Sequence, residues 1–220
     1  QVQPGEVLLE MNSSVVGDAR ADVLQRTSEL KVAEASSKWA RETCEGLAAL
    51  SQSIRERASI DVIRQQFRSV VLGKSREVLL STYSELLLAE VQLRTAEENA
   101  KAGVVPGRIV IEKRQACDQL EETLASQMEE RAFEARQLQL QTESRQQDAE
   151  RRLRIATQHV RTLLGTADNQ TPANEGSDSD STLSIIQLRA PFAGTVEGLS
   201  ISNAERVEPG APILTLADTS

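Results

Sequence analysis

Lys101-Ala-Gly-Val-Val-Pro-Gly-Arg108 is the one interruption in a helical pattern that otherwise runs from Ala19 to Leu164. Two glycines and a proline between helical patterns make a turn signal. No proline occurs from Val15 to Val105, and none from Gly107 to Thr171. Proline costs about 3 kcal/mol inside a helix, so runs this free of it are what very long helices require. The stretch reads as one long helix going out, a tight reversal at 101–108, and one long helix coming back.

Composition agrees with that reading. Of 220 residues only Trp39, Phe67, Tyr83, Phe133 and Phe192 are aromatic, too few large rings for a globular core of this size. Alanine, leucine, glutamate, glutamine and arginine dominate, as in elongated coiled-coil chains. A net charge of −8 argues against nucleic acid as a partner, because phosphate binding needs clustered Lys and Arg. Charges alternate in sign, as in Arg145-Gln-Gln-Asp-Ala-Glu-Arg-Arg152, which marks a solvated helix face. No apolar run approaches the roughly 18 residues of a membrane-spanning helix. No signal peptide is visible, and Gln1 reads as the middle of a domain. Cys44 and Cys117 fall on apolar helix positions. Folding about the turn sets Cys44 near Leu163 and Cys117 near Glu90, tens of ångströms apart at about 1.5 Å per residue. A disulfide needs Cα atoms within about 7 Å, so both are expected unpaired.

The first helix is expected after Gly17-Asp18, with Asp18 as its N-cap. Its seam, Leu30, Ala33, Ser37, Ala40, Cys44, Leu47, Ser51, Ile54 and Ala58, alternates three and four, the repeat of an antiparallel coiled coil. From Ile60 to Leu80 the apolar residues cover more than one face, around Gly73, and a stutter, bend or break belongs there. The returning helix carries Cys117, Leu120, Leu124, Met128, Ala135, Leu138, Thr142, Ala149, Leu153, Ala156, Val160 and Leu163, and Gly165 is its natural stop. Unbroken, the two arms would reach about 125 Å and 85 Å. Two remedies for the mismatch stay open: a break near Gly73, or the polar stretch 166–182 acting as a flexible linker back to the start.

Both ends read as β. Val2-x-Pro4-Gly5-x-x-Leu8-Leu9 and Val207-x-Pro209-Gly210-x-x-Ile213-Leu214 repeat one turn-strand unit on either side of the helices. Such a unit cannot bury its apolar face alone, so the copies are expected to meet in one small domain. In Arg189-Ala-Pro-Phe-Ala-Gly-Thr-Val196, Pro191 and Gly194 set a turn, and Phe192 and Val196 read as apolar anchors. The fold class is α+β: a long antiparallel helical hairpin inserted between two halves of a small β domain. Its divisions are 1–14 with 183–220 (β), 18–165 (hairpin) and 166–182 (linker). Catalytic chemistry is not visible. His159 sits at a polar helix edge, Met11 and Met128 are far apart in sequence, and Glu97-Glu98 and Glu129-Glu130 lie on mixed-charge helices. No catalytic residue, metal or cofactor is assigned.

The Arg189–Val196 string, with Val207-Glu-Pro-Gly210 and Ile213-Leu-Thr-Leu-Ala-Asp218, resembles the second lipoyl-like half of HlyD-type periplasmic adaptors, also called membrane fusion proteins. Val2-x-Pro4-Gly5 with Val7-Leu8-Leu9 is similar to the end of the first half. The resemblance implies a non-enzymatic adaptor in the periplasm, assembled into a ring. It would couple an inner-membrane transporter, of RND or ABC type, to a TolC-like outer-membrane channel. It also implies a membrane anchor or lipid before Gln1 and a β-barrel after Ser220. The modified lysine that true lipoyl carriers present at the hairpin between their halves has no counterpart here; the helical insertion stands in its place. The implied docking surface is the hairpin tip: Arg94, Gly103, Val104, Val105, Pro106, Gly107 and Arg108. Within it Pro106 takes the usual serine position, and Arg94 is one residue out of register. A plain interhelical turn is the other reading of that tip. For the whole chain the rival is a coiled-coil scaffold without a transport role.

Overall fold

A computed structural model describes residues 1–165, 183–208 and 210–218. The order is β1 (Val7–Asn12), α1 (Ser14–Arg55), α2 (Ile60–Gln66), α3 (Ser75–Lys101), α4 (Gly107–Leu164), β2 (Ile185–Arg189), β3 (Gly194–Leu199) and β4 (Leu214–Asp218). The described chain is mostly helical, with two small antiparallel strand pairs. It divides into two units, Gln1–Leu30 with Ala149–Ser220, and Lys31–Asp148. The linker expected over 166–182 lies outside the described residues.

In the first unit the two ends of the sequence lie side by side. β1 pairs antiparallel with β2, from Val7 opposite Arg189 to Asn12 opposite Ile185. The ladder continues outward: the Gly5 N–H donates to the Ala190 carbonyl at 2.8 Å, and Val2 exchanges two backbone bonds with Gly194. β3 pairs with β4 separately. Both copies of the repeat adopt one turn. Glu6 N–H donates to Gln3 O, and Ala211 N–H donates to Glu208 O, each at 3.1 Å. Gly5 at φ +86° and Gly210 at φ +88° supply the left-handed residue that this turn demands. Arg20 of α1 donates to the carbonyls of Leu183 and Ile185, tying the helix start to β2.

Two sequence expectations are corrected in this unit. α1 begins at Ser14 and not after Asp18, because Ser13 Oγ accepts from the Val16 N–H at 3.4 Å and caps it. Gly17 is therefore no boundary. A Cβ there would stand 3.1 Å from Ser184 Cβ, so the glycine permits close passage of the chain after residue 182. Phe192 and Val196 are not core anchors either, at 40% and 38% exposed. The fully buried side chain of the motif is Ala190, and Gly194 lies directly against the Ala217 carbonyl. A two-stranded ladder has no second layer to cover those larger side chains.

The second unit holds the main core. Leu47, Leu50 and Ile54 of α1, Ile63 of α2, Leu79, Tyr83 and Leu86 of α3, and Leu124 and Met128 of α4 form one cluster with Phe67 and Leu72. α3 and α4 run antiparallel: Thr82 bonds Gln127, Gln92 bonds Lys113, and Glu97 pairs with Arg114. The first arm has two genuine breaks. α1 stops at Arg55, Arg57 turns left-handed at φ +55°, and Ser59 caps the seven-residue α2. Gly73, at φ +54°, precedes α3. Ala58, expected on the helical seam, lies in the first break.

Between the breaks the chain doubles back. A Cβ on Gly46 would stand 2.5 Å from Val70 Cγ1 and 3.2 Å from Leu72 Cδ2, so residues 70–72 have returned to the level of Gly46. α3 then runs beside α1 in the same direction, since Glu90 meets Arg57. That resolves the length mismatch by a Z-shaped detour of the first arm. It also corrects a register: Arg57 meets Glu121, so antiparallel counting sets Cys44 opposite the stretch around Ala135, not Leu163. Both cysteines are free, and Cys117 is buried.

Candidate docking tip and the fold-back junction

The tip is built by the way α3 ends. Gly103 takes φ +74°, its N–H donates to Ala100 O, and the Val104 N–H reaches Asn99 O at 2.9 Å. This pair of bonds satisfies the last carbonyls of the helix and reverses the chain within one turn. Pro106 suits the start of α4, where no N–H is needed; its carbonyl accepts from Ile109 at 3.0 Å. Val104 is pushed outward, 70% exposed, while Val105 is half-buried. Gly103, Pro106, Gly107 and Arg108 are exposed, and Arg108 holds Glu112 at 3.3 Å one turn on.

Arg94 is not part of that cluster. It lies on α3 seven residues before Lys101, about 10 Å down the helix, and is exposed. The structure thus presents Gly103 to Arg108 together as one small knob, apolar at Val104 and charged at Arg108, and leaves Arg94 apart. Below the knob, Glu97–Arg114 and Gln92–Lys113 tie the two helices at 2.7 and 2.8 Å. Those side chains fix the tip's register. Their signal in the sequence is complementary polarity on either side of the turn.

The second polar assembly, unanticipated from sequence, is the fold-back junction. Arg57 makes ion pairs with Glu90 of α3 and Glu121 of α4. Burial opposes its charge, but the Glu121 hydrogen bond and the Glu90 charge outweigh that and raise its pKa. Beside it the buried Tyr83 hydroxyl donates to the Ala58 carbonyl at 2.7 Å. Burial raises the pKa of that hydroxyl, with Arg57 pulling the other way. Arg76 Nη2 donates to the carbonyls of Phe67 and Val70 at 2.6 and 2.5 Å, closing the end of α2. Burial likewise pushes the Cys117 thiol up. These groups staple helices and offer no acid–base pair. His159 is exposed, and Glu97 is committed to Arg114. Among the described residues no helix is long and apolar enough to cross a membrane.

No protein-family model matches the chain, and no curated protein does. Among solved structures it is similar to that of the periplasmic adaptor protein EmrA, at 16% identity and a TM-score of 0.37. The alignment covers 99% of this chain, which spans 65% of the length of that one.

Proposed function

We propose that this chain is the lipoyl-like and helical part of a periplasmic adaptor of the HlyD type. In this reading the helices are an excursion inserted between two halves of one β domain. They reach across the periplasm from an inner-membrane transporter toward an outer-membrane exit duct. The observation that carries the reading is the ladder from Val2 to Asn12 against Ile185 to Gly194, which sets the two motif-bearing ends alongside each other. A plain scaffold rod has no need to bring its ends together. The matching turns at Gly5 and Gly210 and the Arg189–Val196 motif support the same reading.

The tip from Gly103 to Arg108 is then the surface offered to a TolC-like channel. Val104 supplies apolar contact and Arg108 charge; Arg94 would act only if the partner reaches two helical turns down α3. The transporter would be of the RND or ABC type, the native protein anchored to the inner membrane, and copies arranged as a ring. Affinity purification of the native protein from membranes tests this. Recovery of a transporter supports it, and recovery of none at native expression returns the chain to a scaffold without a transport role. A photo-crosslinking residue at Val104 should capture an outer-membrane channel; a label at exposed Gln141 should not.

A further inference from the structure

A groove of about 670 Å³ opens beside α2, between it and the first turns of α3. Ile63, Phe67 and Leu80 form its floor, and Arg64, Arg68 and Arg76 surround it, against a single carboxylate, Asp61. On α4 the aromatic Phe133 is 69% exposed. It stands five residues past Met128 and two before Ala135, both turned to the core, so it points away from that core. Glu129 and Glu130 flank it one turn back, with Arg136 one turn on. Among the described residues no ion pair engages Arg64, Arg68, Glu129 or Glu130, whereas Arg57, Arg114 and Arg131 all have carboxylate partners.

The two features match in height as well as in charge. Thr82 bonds Gln127 across the antiparallel pair at 2.9 Å. Six residues back from Thr82 is Arg76, and six on from Gln127 is Phe133, so groove and aromatic stand at one level of the unit. Ile63 and Phe67 of the groove and Leu124 and Met128 of α4 belong to one core cluster, from which Phe133 points away. An acidic, aromatic knob and a basic, apolar-floored groove at equal height on separate faces of one unit suit a heterologous contact between copies. Repeated by rotation without axial shift, it closes into a ring.

We infer that Phe133 of one copy, with Glu129 and Glu130, seats in the α2 groove of a second copy against Arg64 and Arg68. The inference deepens the adaptor reading, on which its ring geometry rests, by naming the faces that meet. An aromatic anchor within a charged rim is the usual centre of such an interface. The charges also make the contact weaken with salt.

Sedimentation of the full chain over a wide concentration range tests it. Wild type should form species beyond the dimer. R64E/R68E and E129R/E130R should each raise the dissociation constant by about tenfold or more. Mixing the two variants should restore assembly, because each then meets its complement. Far-UV circular dichroism should be unchanged, since all four residues are exposed. A chain that stays monomeric at about 0.5 mM, well above typical protein–protein dissociation constants, would overturn the inference. So would assembly that stops at a dimer, or variants that associate like wild type. A chain that recruits a transporter yet shows none of these charge effects sinks only this contact. One that assembles as stated but recruits no transporter sinks only the adaptor role.

Discussion

At the scale of single residues, Gly46 is tightly constrained. It sits inside α1, where glycine is about 1 kcal/mol worse than alanine, yet an alanine would collide with Val70. G46A should destabilise the protein by about 1–3 kcal/mol in urea unfolding, as overpacked sites do. Gly107, with nothing within 4 Å of an added Cβ, is the control, and G107A should be neutral or mildly stabilising. Nothing local marks Gly46 in the sequence, because its reason lies at Val70. Cys117 and Tyr83 carry a second residue-scale expectation. Burial raises their pKa values above the ordinary 9.0 and 10.0, so the neutral forms are the folded ones. A raised folded pKa gives stability that is complete below the unfolded value and vanishes as pH climbs through the folded one. The urea midpoint should therefore hold from pH 7 to 8 and fall above about pH 9. In the native protein Cys44, half-buried, should alkylate well before Cys117.

At the scale of elements, the fold-back from Glu56 to Lys74 is where sequence reasoning stopped short. The spread of apolar residues over several faces between Ile60 and Leu80 announces an irregularity. Periodicity, however, reports which face of a helix is buried, not whether the chain goes on or turns round. The decisive contacts are long-range and polar: Arg57 to Glu90 and Glu121, Tyr83 to Ala58, Arg76 to Phe67 and Val70. Y83F should leave the Ala58 carbonyl without its partner and cost about 1–3 kcal/mol. Its signature should be local: hydrogen exchange should quicken across 56–74 before it does in the paired stretch of α3 and α4. The turn at 101–108, by contrast, was readable, because Gly103 and Pro106 act through their own backbone.

At the scale of the whole molecule, what the sequence carried was a Pro-Gly turn and strand at either end; the first copy's strand, β1, pairs with β2, whereas the second copy's strand, β4, pairs with β3 and not with β1. Strand partners Glu10 and Gln187, whose side chains bond at 2.9 Å, offer a direct check. E10C/Q187C, made with Cys44 and Cys117 replaced by alanine, should oxidise to an intramolecular disulfide that changes gel mobility, because facing strand residues meet the geometry for one. The large apolar residues of the Arg189 motif were misplaced for a complementary reason: a motif records a backbone turn, whereas burial depends on the layers stacked above it. The antiparallel register of α3 and α4 has a consequence for length. Both helices carry a seven-residue repeat and are tied at Glu97–Arg114 and Thr82–Gln127. Excising seven residues from each on the tip side of Glu90 and Glu121 would spare the Arg57 junction and shorten the pair beyond it by about 10 Å. The helical pair beyond Arg57 can thus be retailored in fixed increments of one repeat.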